Sequence, residues 1–253
     1  MSGDARLPEG FVLCALDSVA STNDEAKLRA EEGAQDGLVI TAREQVQGRG
    51  RYGRSWASPP GNLYASVLLR PDCPMAATAQ LSLVAGLALA GTLERLGPPG
   101  LHVRLKWPND VLIGGAKVAG LLLEGAARPD GRAAWVIVGS GVNVASCPDG
   151  MPYRATCLAR EGFAELAPPA VLRPYLFALA EWLGRWRSSG FEPVRKAWLE
   201  RCMGLGGEIR LRLDREEVSG RFVDLSETGA LLLEQAGGRR RTIAAGDVFY
   251  LDG

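Results

Sequence analysis

Histidine is almost absent from this chain, and that absence excludes several kinds of catalytic centre. Among the 253 residues the one histidine is His102, which opens a predicted strand and is expected to be structural. A Ser-His-Asp hydrolase requires a histidine and a nucleophile elbow, and no such elbow occurs. No H-E-x-x-H motif and no cluster of histidine and cysteine indicates a zinc site.

Cysteine is scarce and follows no recognisable spacing. The five cysteines are an odd number, and none belongs to a C-x-x-C pair. This pattern argues against a disulfide framework and against a thiolate zinc site. The cysteines are Cys14, Cys73, Cys147, Cys157 and Cys202.

The chain has no excess of charge of either sign. Lys+Arg and Asp+Glu both number 29, which gives a net charge of +0. Proteins that bind duplex nucleic acid usually carry a basic excess, so the composition favours a local site for a small anionic ligand. The hydrophobic content of 47% supports a sizeable core in one large domain, or in one large and one small domain.

No long hydrophobic run is predicted to enter a membrane. Residues 1–10 are polar and lack the apolar centre of a signal peptide. The longest apolar-rich run, residues 81–93, is expected to be too short to span a bilayer. We therefore expect a cytoplasmic protein with no membrane partner.

Hydrophobic periodicity predicts two regions with a boundary near residue 204. In the first region, strands alternate with helices, and Thr22 with Glu25 is interpreted as a capping box. A glycine-rich linker, residues 204–207, leads to about five short strands, which indicate a small barrel. The predicted strands are 11–16, 38–41, 63–69, 103–106, 118–123, 134–138, 209–213, 218–223, 230–233, 242–244 and 248–251, and the predicted helices are 22–33, 75–96, 170–186 and 193–202.

The most informative segment is residues 45–56, where three arginines alternate with glycines before a tryptophan. Glycine lets a backbone turn sharply and approach a ligand, and arginine binds carboxylate and phosphate. The segment therefore predicts a mobile loop that closes over an anion, with a solvated surface loop as the alternative. Its G-x-G-x-x-G match is weak support for a dinucleotide site, because no helix clearly begins at Gly53. No G-K-[ST] follows, so it is not a P-loop.

Three further motifs combine polar side chains with strand ends. Residues 21–23 (Ser-Thr-Asn) follow the first strand and favour either helix capping or contact with a polar heterocycle. Residues 106–110 (Lys-Trp-Pro-Asn-Asp) exceed what a plain turn requires, and Lys117 follows before a buried strand. Residues 139–143 (Gly-Ser-Gly-Val-Asn) are interpreted as a strand-end bulge or as close backbone approach to a nucleotide.

Taken together, in this order and at this spacing, these motifs resemble biotin protein ligases. The resemblance is strong over residues 11–145 and rests on pattern alone in the C-terminal strands. It implies an α+β fold with a mixed β-sheet flanked by helices, related to class II aminoacyl-tRNA synthetases. It also implies a catalytic biotin- and ATP-binding domain at 1–203 and a small C-terminal β-barrel, Src-homology-3-like, at 204–253.

The resemblance implies an ATP-dependent ligase that forms biotinyl-5′-adenylate with Mg²⁺ and transfers biotin to a lysine of a biotin carboxyl carrier protein. It places catalysis on Lys117 and Arg51. The implied biotin contacts are Ser21, Thr22, Asn23, Gln45, Arg49, Gly50, Arg51 and Lys117. The implied ATP and adenylate contacts are Arg51, Arg54, Trp56, Lys106, Asn109, Asp110 and Asn143, with Asp110 also near the metal.

Two other functions stay open at this point. A lipoate–protein ligase shares the fold and the adenylate chemistry, although its arginine-glycine signature differs. A biotin sensor without turnover is the non-enzymatic alternative. Because the first strand begins near Phe11, we expect no helix-turn-helix domain and no DNA partner. A homodimer through a sheet edge is possible in this family.

Overall fold

A seven-stranded mixed sheet forms the centre of the protein. The computed structural model describes residues 6–163 and 165–250. The strand order is β1-β2-β3-β7-β6-β5-β4, with β1 parallel to β2 and every other neighbouring pair antiparallel. The strands are β1 (Val12–Val19), β2 (Leu38–Gln45), β3 (Leu63–Leu69), β4 (Val103–Lys106), β5 (Asp110–Ile113), β6 (Ala116–Ala127) and β7 (Ala133–Val142).

Helices cover this sheet, as the resemblance implied. The helix α2 lies in the core because its apolar side chains contact the sheet on one side and α3 and α4 on the other. The helix α1 packs against β2, β3 and β7. The four helices are α1 (Thr22–Glu31), α2 (Gln80–Leu96), α3 (Pro168–Ser189) and α4 (Glu192–Arg201).

The apolar character of α2 is explained by burial. Together with the 3₁₀ turn before it, the helical stretch Met75–Leu96 is long and apolar enough to cross a membrane by length and composition. The apolar run identified in the sequence, residues 81–93, is therefore only the central part of a longer helical stretch. However, 72% of its most apolar window is buried inside the protein, as in the central helix of a packed core.

A second sheet of five antiparallel strands follows. Its order is β11-β10-β9-β8-β12, so β11 and β12 form its two edges. The Trp107 indole donates to the Gly229 carbonyl at 3.0 Å, and both sheets contribute to one hydrophobic core. The predicted last strand included Leu251, which lies outside the described residues. The strands are β8 (Glu208–Arg212), β9 (Glu217–Leu225), β10 (Leu231–Glu234), β11 (Arg240–Ile243) and β12 (Asp247–Tyr250).

Two local predictions from the sequence were wrong. The strand β7 continues to Val142, so Gly139 and Gly141 lie inside a strand and not in a bulge at its end. Thr22 does not open a capping box, because the helix N-cap is Ser21 and no side chain caps it. The Thr22 hydroxyl and backbone N–H are both bound to Gln45 instead.

Candidate active site

One cavity of about 470 Å³ lies between the central sheet and β12. It brings together every site residue predicted from the sequence except Asn143. The predicted residues that line it are Ser21, Thr22, Asn23, Gln45, Arg49, Gly50, Arg51, Arg54, Trp56, Lys106, Asn109, Asp110 and Lys117.

A hydrogen-bonded network orders the polar end of the cavity. The Gln45 Oε1 accepts from the Thr22 backbone N–H at 2.8 Å and from the Thr22 hydroxyl at 3.0 Å. The Gln45 amide donates to the Ser58 hydroxyl at 2.9 Å. The N-terminus of α1 and the end of β2 are therefore fixed to each other by groups that face the cavity.

Asn23 and Ser66 extend this network into the sheet. The Ser66 hydroxyl lies 2.6 Å from Asn23 Oδ1, and the Asn23 amide donates to Glu124 Oε2 at 2.6 Å. Ser66 is fully buried, and it was missed in the sequence because it occupies an apolar strand without a motif. Its signal was a single serine in a strand of otherwise aliphatic and aromatic residues. Buried hydroxyls usually serve a hydrogen-bonded network.

Glycines in β6 and β7 make space for side chains that lie flat on the sheet. A Cβ at Gly141 would stand 2.6 Å from Trp56 Nε1, and one at Gly139 would stand 2.2 Å from Asn23 Oδ1. A Cβ at Gly120 would meet the Trp56 ring at 3.1 Å. The Trp56 N–H is buried without an acceptor among the described residues, so the indole forms a cavity wall with a spare donor.

We expect Gly141→Ala to displace the Trp56 indole from the cavity wall. The new methyl group would overpack the site at a cost of about 1–3 kcal/mol, or would move the ring outward. Trp56 fluorescence should shift, and ligand binding in the cavity should weaken. Gly184→Ala is the matched control, because its added Cβ would meet no atom within 4 Å apart from its chain neighbours and its own helix backbone, and the position is helical. An unchanged fluorescence spectrum and unchanged affinity in Gly141→Ala would contradict this role for the glycine.

Lys117 contributes a cation to the cavity lining. Its ammonium lies 2.7 Å from Asp110 Oδ1 and 5.2 Å from the ring centroids of both Trp56 and Tyr153. The β5–β6 hairpin brings the lysine and the carboxylate together, and its two-residue turn is Gly114-Gly115 with φ of 55° and 76°. The lysine charge is thus held between two aromatic faces, next to one carboxylate.

Lys106 is a second cation at the same cavity. Burial lowers its pKa, Asp110 opposes that shift, and Lys117 adds to it. Among the described residues no carboxylate oxygen lies within 4.0 Å of its ammonium, which lies over the Tyr250 ring, 5.4 Å from the ring centroid. A partly desolvated cation of this kind suits an incoming anion.

The three arginines of the 45–56 loop bind carboxylates and carbonyls in this structure. Arg49 pairs with Asp24 and, at 3.4 Å, with Glu124. The other two arginines, Arg51 and Arg54, contact the second sheet. The cavity lining also includes four residues of β12, Asp247 to Tyr250. They were not predicted from the sequence, because no local motif indicates which strand of the second sheet lies against the cavity.

Asn143 does not line the cavity. It is buried, and its amide donates to the Thr156 carbonyl at 3.0 Å. Asn143 directly follows β7, and its hydrogen bond to Thr156 holds the segment that includes residues 151–154 against the sheet. Those four residues line the cavity and were not predicted from the sequence. Direct contact of Asn143 with an adenylate therefore stays a prediction that this placement does not support.

Comparison with known proteins identifies the family. The Biotin/lipoate A/B protein ligase family matches residues 7–200, and the Biotin protein ligase C terminal domain matches residues 204–251. This chain belongs to the biotin protein ligases. Two such relatives carry the name biotin–[acetyl-CoA-carboxylase] ligase. The Paracoccus denitrificans protein is 40% identical over 91% of this chain and 97% of its own length. The Mycobacterium tuberculosis protein is 36% identical over 93% of this chain and 89% of its own length.

A solved biotin protein ligase has the same fold. The Aquifex aeolicus enzyme in complex with biotin and ATP superposes with a TM-score of 0.77 at 32% sequence identity. The match covers 94% of this chain and 97% of that chain. The mixed sheet with its helices and the C-terminal sheet domain are therefore the biotin protein ligase fold.

Proposed function

We propose that this protein activates biotin with ATP to biotinyl-5′-AMP and transfers biotin to a lysine of a biotin carboxyl carrier protein. The observation that carries the proposal is one cavity that joins a polar hydrogen-bonded end to a cluster of cations around Lys117. The names of the relatives and the Aquifex complex support it. The match to a biotin protein ligase C-terminal domain favours biotin over lipoate.

The two ends of the cavity suit the two substrates. The side chains of Ser21, Thr22, Asn23 and Gln45 offer donors and acceptors for the polar ring of biotin. In our proposal Arg49, Gly50, Arg51 and Lys117 complete the biotin contacts, and Arg51, Arg54, Trp56, Lys106, Asn109 and Asp110 contact ATP, with both Arg51 and Arg54 on its phosphates. Trp56 covers the adenine when the loop closes.

The first step requires charge compensation more than proton transfer. A biotin carboxylate oxygen attacks the α-phosphorus of ATP, the new C–O–P bridge forms, and pyrophosphate leaves. Both reactants are anions, so Lys117 and Arg51 offset the charge that accumulates as they approach. No proton moves in this step, which agrees with the lack of a histidine in the cavity lining. In the second step a neutral lysine amine attacks the biotinyl carbonyl, the bond from that carbonyl carbon to the AMP oxygen breaks, and the nitrogen loses one proton as the amide forms.

The donor set suits a magnesium ion that is bound mainly by phosphates. Among the residues described, no three His, Cys, Asp or Glu side chains are grouped around a possible ion. Magnesium often binds one or two carboxylates together with substrate phosphates, and Asp110 can serve as that carboxylate. When bound, the ion would screen the charge of the leaving pyrophosphate.

We expect Lys106→Met to weaken ATP binding while stabilising the protein. Methionine keeps most of the packing and removes a charge that burial disfavours. Because the pKa of Lys106 is lowered in the fold, wild type gains stability as pH rises from that lowered pKa towards the usual lysine value. The difference in thermal midpoint should therefore shrink between neutral and alkaline pH. Unchanged ATP affinity in the variant would contradict an ATP contact.

The whole reaction is tested with the purified protein, biotin, ATP, Mg²⁺ and an unmodified biotin carboxyl carrier domain. Intact-mass spectrometry should show one biotinyl group on the carrier, and none when its acceptor lysine is changed to arginine. Lipoate in a parallel reaction should give no product. Modification with lipoate alone would move the protein to the lipoate ligases.

Several predictions from the sequence stay predictions. They are the cytoplasmic location, the absence of a DNA partner, a homodimer through a sheet edge, and the division of the chain into domains at 1–203 and 204–253. The family match that ends at residue 200 and the one that begins at residue 204 support that last division.

A further inference from the structure

Two arginines of the 45–56 loop are held by the second sheet. Arg51 donates to the Gly246 carbonyl at 3.1 Å and lies 3.9 Å from Asp247 Oδ1. Arg54 forms an ion pair with the other carboxylate oxygen, Asp247 Oδ2. One carboxylate at the start of β12 therefore faces both guanidinium groups.

Asp247 is also part of the cavity lining, and its side chain is 20% exposed. A carboxylate in a cavity for anionic substrates repels them unless cations neutralise it. Here those cations are Arg51 and Arg54, which the proposed function assigns to phosphate binding. Asp247 and the phosphates of ATP therefore compete for the same two guanidinium groups.

We propose that Asp247 is a positioning residue that latches the arginine loop to the second sheet and that ATP displaces it. The proposal rests on the proposed function, because it takes the competing anion to be a nucleotide phosphate. The latch costs ATP affinity, since only the fraction of molecules with released arginines binds phosphate fully. The contact also couples opening of the loop to the C-terminal domain, because Asp247 lies 193 residues after Arg54 in the sequence.

The chain offers a matched control for this contact. Asp224 of β9 forms an ion pair with Arg195 of α4, which also joins the second sheet to the first domain. Neither residue lines the cavity. Asp247→Asn and Asp224→Asn thus each remove one carboxylate charge from a contact between the two regions, but only the first releases the loop.

Limited trypsin digestion tests the latch without turnover. In protein without ATP, Asp247→Asn should speed cleavage after Arg51 and Arg54 by roughly three- to tenfold, the range expected for losing one partly exposed charge-assisted contact. Fragments are identified by mass. Asp224→Asn should match wild type at these two sites. Equal cleavage in Asp247→Asn and wild type would overturn the proposal.

ATP binding gives the second readout. Calorimetry with ATP and Mg²⁺ should show Asp247→Asn binding roughly three- to tenfold more tightly, because the competitor is gone. In biotin-dependent exchange, KM for ATP should fall while kcat stays near wild type. Weaker ATP binding in Asp247→Asn would overturn the latch. A wild type with no biotin-dependent exchange would count against the proposed function alone, since trypsin cleavage and ATP binding report on Asp247 independently.

Discussion

Lys117→Ala should reduce biotin-dependent adenylate formation by about two to three orders of magnitude, as expected when one preorganised charge-stabilising group is removed. Its ammonium lies between Trp56 and Tyr153, 2.7 Å from Asp110, so its position is fixed before substrates arrive. Alanine leaves the repulsion between the biotin carboxylate and the α-phosphate uncompensated. The measurement is single-turnover formation of biotinyl-5′-AMP.

Controls separate this chemistry from folding. Lys196→Ala removes an exposed lysine of α4 outside the cavity lining and should leave the rate unchanged. Lys117→Arg keeps the charge but spreads it over a larger planar group in place of a compact ammonium, so it should recover only part of the rate. The far-ultraviolet circular dichroism of Lys117→Ala should match wild type. A folded Lys117→Ala with near-normal turnover would remove the lysine from the mechanism.

Arg51→Gly should release biotinyl-5′-AMP faster by about ten- to a hundredfold, the equivalent of one lost hydrogen bond to a charged group. Arg51 lies on the 45–56 loop and lines the cavity. In our proposal this loop closes over the substrates and the Arg51 guanidinium holds the adenylate phosphate. An adenylate that escapes would react with exposed lysines of unrelated proteins. The release rate is measured by pulse–chase on the isolated complex.

The glycine substitution also loosens the loop, so Arg51→Ala is the control. Alanine removes the guanidinium without adding backbone freedom. We expect both variants to release the intermediate quickly. Fast release in Arg51→Gly alone would assign the effect to loop flexibility, and an unchanged rate in both would exclude the arginine from retention.

The parts of the site that lie in contiguous motifs could be predicted from the sequence. The 45–56 loop and the 106–110 segment combine residue types that ordinary turns do not require. Most of the loop, all of the 106–110 segment and Lys117 line the cavity. The mixed sheet was implied by the family resemblance, although β5, Asp110–Ile113, was not predicted because its first residue was assigned to the 106–110 segment.

The parts that depend on docking could not be predicted. Asp247 reaches Arg54 only because β12 lies at the edge of the second sheet that faces the cavity. Residues 151–154 reach the cavity through a segment without regular structure, fastened by Asn143. Thr22 was interpreted as a cap because local pattern favours that role, whereas Gln45, 23 positions away, takes its hydroxyl.

Biotin-dependent exchange of pyrophosphate into ATP tests the central claim most directly, because it reports adenylate formation without a carrier protein. With purified protein and Mg²⁺, we predict exchange with biotin, none with lipoate, and near-background exchange in Lys117→Ala. Exchange with lipoate but not biotin, or measurable biotin binding with no exchange at all, would contradict the account.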